Sequence, residues 1–509
     1  MSDALDRGIT VTEISPMDHP IDVPPDSTAA FVGRALRGPL NTPVLIESFA
    51  AFHRRFGGTW QRSSLGPAVQ QYFEHGGRRL YVVRVANSAR GPMICLPAIG
   101  GVLVLHALEP GSTESVRAAI DYDGIDVDEQ RFNLTIQRIA PNTGLVVDQE
   151  IYRQLSCHER EGGFIGEELL TSTLVRAQIP LPAGRPAKTN ENYVEHAQRG
   201  TDGYALSDYD LVGCDSRSTG IFALNEIEHF DLLYVPPPAR DQDLGPAAIV
   251  AAELYCRKRG AMLVMDPSRA WRSVRKVIEG VREFDFASPN IFAYYPRVYA
   301  NKDDGSPPRV AGGAIAGLLS KLDRNHGPWE DLDQLGYGLS RKLVPAVNLN
   351  VDDAQMLVKE GINVIAGRAA GRATICGSVT LARGGQMDGK FSSLTVRRLC
   401  LEITNTIDRA TRWTVFAPNS TAVADRVDSL IHAYMCSLAD SGAFTDDMFV
   451  VQCDAGLHSR PINKDRGITV LLAFHPAGSE ETVSLTLHQT VAGCRVATTA
   501  FAPVFDECA

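Results

Sequence analysis

Short, almost wholly apolar segments alternate with segments of helical periodicity in this chain of 509 residues. The apolar runs lie at 29–32, 80–85, 231–235 and 261–265, and helical patterns at 49–56, 65–73 and 246–259. Strands without polar alternation are buried on both faces, and a strand–helix–strand order makes such strands parallel. The sequence therefore predicts a mixed α/β protein, and its length allows three or four domains.

Residues 91–205 have a different pattern. Short strand-like runs occur at 102–108, 116–121, 132–139 and 145–152. Such runs, separated by turn residues, are typical of antiparallel strands. We predict a β-rich insertion within the α/β framework.

Two amphipathic helices are predicted towards the end of the chain. The stripe of the first is formed by Val396, Leu399, Cys400, Ile403, Ile407 and Ala410. The second, at 421–439, has a stripe of Val423, Val427, Leu430, Ile431, Tyr434 and Leu438. Asp425, Asp428 and His432 are predicted to point away from that second stripe. They are candidates for a weak contact with a partner, and a solvated helix face is an equally good interpretation.

Each end of the chain contains an extended segment. The N-terminal segment contains Ile9, Val11 and Ile14 and precedes prolines between residues 16 and 25. The C-terminal segment, at 495–501, contains Val496, Thr498 and Phe501. A lone strand cannot satisfy its own N–H and C=O groups, so it stays disordered or pairs with a sheet edge. We predict that both segments are arms that pair with neighbouring chains.

The charge balance excludes some classes of function. Lys and Arg total 50 and Asp and Glu total 60, which gives a formal net charge of −10. This balance argues against a general nucleic-acid binder, because such proteins need a positive field. The N-terminal residues lack an apolar signal core, and no run has the 18 to 20 apolar residues of a membrane span. We expect neither direct nucleic-acid binding nor membrane insertion.

One loop matches a nucleotide-binding pattern. Residues Gly384–Lys390 read G-x-x-x-x-G-K, in which backbone N–H groups cradle phosphates and the lysine reaches the terminal ones. Phe391 occupies the position where a serine or threonine would hold Mg²⁺, which favours a plain surface turn. An α/β nucleotide-binding enzyme that uses this loop is the alternative function.

Other motifs give no support to catalysis. The twelve histidines show neither the H-E-x-x-H pattern nor a His/Cys metal spacing, and no G-x-S-x-G sequence is present. We therefore predict no catalytic, cofactor-binding or metal-binding residue and no enzymatic activity.

Ten stretches of the sequence form one series when they are read together in order. They are Val11–Ile14, Ala29–Ala35, Arg37–Pro39, Asn41–Pro43, Phe52–Gly57, Gly76–Val85, Gly361–Ile365, Val396–Leu399, Ile407–Trp413 and Val415–Asn419. In letters and in spacing this series resembles the contractile tail sheath proteins of myovirus-type phages and related injection particles. Residues 91–205 resemble no part of that family.

The resemblance implies a multidomain fold whose central sheet and helices come from both chain ends. The implied divisions are an N-terminal arm and linker at 1–25, a tube-proximal core of 26–90 with 346–488, an outward β-rich insertion at 91–205, an α/β middle domain at 206–345 and a C-terminal arm at 489–509. Part of that fold is similar to subtilisin in topology. The chain has no matching Asp, His and Ser set, so this likeness does not extend to proteolysis.

The resemblance also implies a function. Sheath subunits polymerise helically around an inner tail tube and contract from a metastable extended state, which drives the tube through a target cell envelope. The implied partners are further copies of the chain, the inner tube protein, and baseplate and tail terminator proteins. The implied location is the tail of a virion or phage-like particle assembled in a bacterial cytoplasm. Asp425, Asp428 and His432 become candidates for the tube contact.

Overall fold

The structure is a computed structural model that describes most of the chain. The described residues are 21, 27–126, 129–140, 143–189, 192–284, 286–300, 307–367, 373–382, 391–416, 421–454, 468–479, 481–490 and 493–497. They fall into two compact units. The N-terminal unit takes 26–325 and 331–384, and the C-terminal unit takes the described residues of 1–25, 326–330 and 385–509.

These residues form ten α-helices and 21 strands. The helices are α1 (Phe49–Phe56), α2 (Leu65–Glu74), α3 (Ile165–Glu168), α4 (Asp208–Val212), α5 (Pro246–Arg259), α6 (Val274–Phe284), α7 (Gly312–His326), α8 (Val351–Lys359), α9 (Leu394–Thr411) and α10 (Thr421–Asp440). The first strands are β1 (Thr28–Gly33), β2 (Val44–Ile46), β3 (Arg79–Arg84), β4 (Met93–Ala98), β5 (Gly101–Ala107), β6 (Val116–Asp121), β7 (Phe132–Ile139), β8 (Val146–Leu155), β9 (Val175–Ala177) and β10 (Val194–Glu195). The others are β11 (Leu232–Tyr234), β12 (Met262–Met265), β13 (Ile291–Tyr295), β14 (Val298–Tyr299), β15 (Val344–Pro345), β16 (Asn363–Gly367), β17 (Ala373–Cys376), β18 (Phe444–Asp454), β19 (Thr469–Pro476), β20 (Val483–Thr490) and β21 (Gly493–Ala497).

An eight-stranded sheet organises the N-terminal unit, in the order β17-β16-β13-β12-β11-β1-β3-β2. The six strands from β16 to β3 are parallel, and the outermost strand on each side is antiparallel. Phe31 of β1 lies opposite Val82 on one side and Tyr234 on the other. Every residue of β1 and β12 is buried, as the apolar runs predict. The predicted α/β class with parallel strands is confirmed.

The helices of this unit begin and end where local sequence signals require. Ser48 accepts a hydrogen bond from the N–H of Ala51 at the start of α1, and Gly57 ends that helix in the left-handed region at φ 88°. Helix α5 begins with Pro246 and ends at Gly260, which has φ 65°. The predictions of α1, α2 and α5 are confirmed.

The strand order reverses at β1. The chain passes from β1 to β3 on one side and returns later to β11 on the other side. At such a reversal the loops that leave the two strands diverge, and a crevice opens at the carboxyl ends of the strands. Arg34 follows β1 and Val235 follows β11, so both lie at this edge.

Asp266 follows β12 at the same edge and is held by two donors. The Tyr234 hydroxyl donates to its Oδ2 at 2.6 Å, and the N–H of Gly312 donates to its Oδ1 at 3.2 Å. Burial raises the pKa of Asp266 to about 6, so the folded chain holds this proton to a higher pH than the unfolded chain does. The stability that this group contributes is therefore present below about pH 4 and lost as the pH rises to about 6.

We expect Asp266→Asn to remove that pH dependence. The amide does not ionise, so the free energy of unfolding of the variant should fall less between pH 4 and pH 6 than that of the unchanged chain. Urea unfolding at a series of pH values measures both slopes. Equal slopes would show that Asp266 ionises alike in the two states.

The described residues of 91–205 form seven strands, which confirms the predicted β-rich character of this segment. One antiparallel sheet has the order β10-β6-β7-β8, and a second has the order β4-β5-β9. Their facing side chains form a separate core that includes Ile94, Leu105, Ile120, Leu134 and Ile136. The insertion therefore has a hydrophobic core of its own.

The structure groups the other segments differently from the sequence expectation. Residues 26–90 were expected to share a core with 346–488, but Ala29 of β1 pairs with Leu232 of β11 through a parallel ladder. Backbone hydrogen bonds thus join 26–90 to the expected middle domain, and 346–384 also belongs to this unit. The apolar runs identify strands but do not reveal which strands are neighbours.

The C-terminal unit consists of α9, α10 and an antiparallel sheet in the order β18-β19-β20-β21. The residues of the predicted α9 stripe are buried except Ala410, which is half-buried. In α10, Val427, Ile431, Tyr434 and Leu438 are buried as predicted, while Val423 and Leu430 are half-buried. Both helices bury their apolar stripes in one core, together with inward side chains of the sheet.

Candidate functional site

Strand β18 forms one edge of the sheet in the C-terminal unit, and its outer side has no strand partner among the described residues. Cys453 lies opposite Val470 of β19, but its N–H is bound to Oδ1 of Asp428 at 3.1 Å. Cys453 and Val470 therefore form a non-hydrogen-bonded pair of the ladder, and the backbone groups of Cys453 point outward. By the alternation of an antiparallel ladder, the N–H and C=O groups of Val451 and Phe449 point to the same side. The edge offers backbone groups to which another strand can bind.

Asp428, one of the three predicted contact residues, closes one end of that edge. It is half-buried, and its carboxylate accepts from the backbone of β18. Burial and the neighbouring Asp428 carboxylate both raise the pKa of the Cys453 thiol. A charged side chain over an exposed strand is one means by which proteins limit edge pairing.

We expect Asp428→Ala to lower the stability of the C-terminal unit by about 1–2 kcal/mol, because the N–H of Cys453 loses its acceptor. Asp428→Asn keeps an acceptor oxygen and should cost less. Thermal unfolding of both variants measures the difference. Identical melting temperatures for Ala and Asn would contradict this role.

The opposite edge of the sheet is β21. Val496, a predicted C-terminal arm residue, lies opposite Leu487 of β20 in the same chain. Thr498 and Phe501, and the N-terminal arm residues Ile9, Val11 and Ile14, lie outside the described residues. The exchange of either arm between chains stays a prediction.

The other two candidate contact residues lie on the exposed part of α10. Asp425 is exposed, and His432 is exposed with its ring 5.1 Å from the ring of Phe449. Nδ1 of His432 also lies 3.5 Å from Sγ of Cys436. Asp425 and His432 are thus available at the surface, whereas the Asp428 carboxylate is hydrogen-bonded to the backbone of β18.

A hydrogen-bonded group that the sequence does not reveal joins β18, β19 and the turn before β20. Nδ1 of His475 lies 2.8 Å from Oδ2 of Asp446, and its Nε2 lies 2.6 Å from Oγ1 of Thr482. The three residues tie the bulged start of β18 to the β19–β20 hairpin. A histidine at the end of a strand pattern gives no sign of partners on a neighbouring strand and in a turn, so only the register shows this group.

The candidate phosphate loop, Gly384–Lys390, lies outside the described residues. Phe391, which follows it, is buried in the core of the C-terminal unit. Across the described ranges, no group of three or more His, Cys, Asp or Glu side chains is arranged to hold a metal ion. No helix in the described part of the chain has the length and apolar character needed to cross a bilayer.

Solved structures are similar to this chain over nearly its whole length. The sheath tail protein of Listeria innocua superposes with a TM-score of 0.62 at 14% identity, covering 94% of this chain and 98% of that one. The chain has the fold of a contractile sheath protein. Two contracted sheaths are also similar: that of the anti-feeding prophage (TM-score 0.56, 15% identity, 94% of this chain and 97% of that one) and that of the extracellular contractile injection system PVC (0.55, 14%, 94% and 95%).

Two comparisons of the sequence found no match. No protein-family model matches the sequence. No curated protein matches it either.

Proposed function

We propose that this chain is the structural subunit of a contractile sheath. Copies polymerise helically around an inner tube and shorten together, which drives the tube through a target cell envelope. The observation that carries this proposal is the likeness over 94% of the chain to sheath proteins, two of them solved in the contracted state. The mixed α/β fold and the β-rich insertion agree with it.

The open edge of β18 suits such an assembly. Identical subunits that repeat by rotation and translation form an open lattice, and the contacts in that lattice join different surfaces of the two neighbours. A terminal arm of one copy that adds to β18 of another is a contact of this kind, and its backbone hydrogen bonds give it strength. In this proposal the proline-containing segment between residues 16 and 25 is the linker that keeps arm and body connected while the subunits move.

Contraction in this proposal needs no bound fuel. The extended lattice is kinetically trapped, and contraction moves the subunits into contacts of lower free energy. A gain of a few kcal/mol per subunit, summed over about a hundred subunits, reaches hundreds of kcal/mol. Arms that join neighbouring subunits would transmit the contraction from each subunit to the next.

The proposal includes partners and a location. The partners are further copies of the chain, the inner tube protein, and baseplate and tail terminator proteins. The location is the tail of a virion or a phage-like particle, assembled in a bacterial cytoplasm. No cofactor or catalytic activity is part of this function.

Negative-stain electron microscopy of the purified full chain tests the proposal directly. We expect hollow cylinders of variable length with a helical surface pattern. Closed rings of fixed size, or only monomers under all assembly conditions, would support an ordinary interaction protein instead.

We further propose that Asp425 and His432 contribute to the tube contact. We expect Asp425→Lys to weaken co-sedimentation with the inner tube protein severalfold, because it reverses an exposed charge at the contact. Asp440→Lys makes the same change at the other end of α10 and should have little effect. Equal binding by both variants would place the contact elsewhere.

A further inference from the structure

Three arginines line one crevice at the carboxyl edge of the eight-stranded sheet. Arg240 lies in the loop after β11, Arg297 follows β13, and Arg309 precedes α7. Ser64 and Pro67, at the start of α2, line the same crevice. It lies beside the reversal of strand order at β1, where open α/β sheets bind ligands.

Two carboxylates at this edge are already engaged. Asp243 pairs with Arg297, with 2.5 Å between Oδ1 and a guanidinium nitrogen, and its Oδ2 accepts from the hydroxyl of Ser268 at 2.9 Å. Asp266 accepts from Tyr234 and from the backbone at α7. Within the described ranges, no carboxylate pairs with the two other arginines of the crevice. The crevice therefore keeps a positive charge in a chain that is negative overall.

Not every N–H donor of the Arg240 guanidinium group has a hydrogen-bond acceptor. One terminal nitrogen donates to the backbone oxygen of Trp60 at 3.4 Å, and its Nε is buried without any hydrogen-bond partner. Burial and the positive charge of Arg309 both lower the pKa of Arg240. An anion between the two side chains would give Nε an acceptor and remove the repulsion.

The backbone fixes the other two arginines next to each other. The N–H of Arg309 donates to the carbonyl of Val298 at 2.7 Å, and the N–H of Val298 donates back at 2.9 Å. Arg297 precedes this pair and is only 7% exposed, and its Nε donates to the carbonyl of Pro267. Arg297 is thus buried and held by the fold, and the backbone places the half-buried Arg309 beside it.

We propose that this crevice binds a small tetrahedral oxyanion, namely phosphate or the phosphate group of a phosphomonoester. Guanidinium groups present rigid pairs of N–H donors that match the oxygens of such an anion. The recess favours a small anion over the carboxylates of a flat protein surface. The site is separate from the loop Gly384–Lys390 and goes beyond the proposed sheath function.

Isothermal titration of the full chain with inorganic phosphate and with AMP tests this proposal, against sodium chloride at equal ionic strength. We expect saturable binding of one anion per chain. Arg240→Gln and Arg309→Gln should each weaken it about tenfold or more, because each removes a charged donor. Arg275→Gln is the matched control, since Arg275 is 87% exposed on α6 and pairs with Glu279. It should leave the affinity unchanged.

The two ligands distinguish the source of the anion. Similar affinities for phosphate and AMP would indicate free phosphate, and much tighter AMP binding would indicate a phosphomonoester. If a Gln variant loses its native circular dichroism spectrum, Arg240→Lys and Arg309→Lys keep the charge, lose the paired donors and should still bind more weakly. Absence of saturable heat with both ligands, or an equal loss in Arg275→Gln, would overturn the proposal. The proposal would also be overturned if the unchanged chain did not bind phosphate and the Arg309→Gln variant failed to assemble.

Discussion

Deletion of residues 1–15 should abolish ordered cylinders and leave a folded chain. The deleted segment contains the N-terminal arm residues Ile9, Val11 and Ile14. The two hydrophobic cores that the structure describes in the N-terminal unit are built from side chains at residue 30 and beyond, and the deletion removes none of them. The lattice, in contrast, would lose one backbone-paired junction per subunit. Negative-stain microscopy and size-exclusion chromatography measure assembly, and circular dichroism measures folding.

Substitutions within the arm give a sharper test than deletion. Ile9→Asp with Val11→Asp places charge on the apolar side of the predicted strand and should also prevent assembly. Thr10→Asp with Thr12→Asp adds the same charge on the alternate side and should reduce assembly much less. Normal cylinders from the deleted chain would show that the arm is not an intermolecular junction.

The sequence predicts the elements of this fold well where an apolar pattern has no competing interpretation. Residues 246–259 are predicted with the bounds that the structure gives. Pro246 begins this helix and Gly260 follows its last residue, so local signals decide its bounds. The class of the protein follows from the same patterns.

The segment at 220–227 shows where local signals fail. The structure has a 3-10 helix at Gly220–Glu226, followed by extended backbone at Ile227. Gly220 has φ 65°, and a Cβ atom there would lie 2.5 Å from the carbonyl oxygen of Val212. A close contact between two backbone segments tightens this turn, and no periodicity in the sequence shows it.

The candidate sites depend even more on contacts across strands. Asp428 has the spacing of an exposed helix position, yet it binds the backbone of Cys453, 25 residues further along. Arg240, Arg297 and Arg309 are scattered in the sequence and meet only because their loops leave the same edge of the sheet. The register of strands sets these contacts, and one sequence does not contain that register in readable form.

Substitution of Val451 by proline should block assembly without unfolding the chain. The N–H of Val451 points to the free side of β18, so its removal breaks no hydrogen bond to β19, and proline is tolerated at such edge positions. An arriving strand loses a donor and meets the proline ring. Gln452 has the opposite orientation, because its neighbours alternate with it in the ladder. Gln452→Pro should therefore remove a hydrogen bond to β19 and lower the melting temperature.

A second control separates the effect of losing the backbone N–H from the effect of losing the side chain. Val451 is half-buried against the core, so proline also changes its packing. Val451→Ala removes the same side chain and keeps the N–H, and it should assemble while it loses some stability. The expected result is folded, unassembled Val451→Pro beside assembled Val451→Ala, measured by microscopy and thermal unfolding. Cylinders from Val451→Pro would show that the lattice does not use this edge, and the arms would then have to pair with another strand.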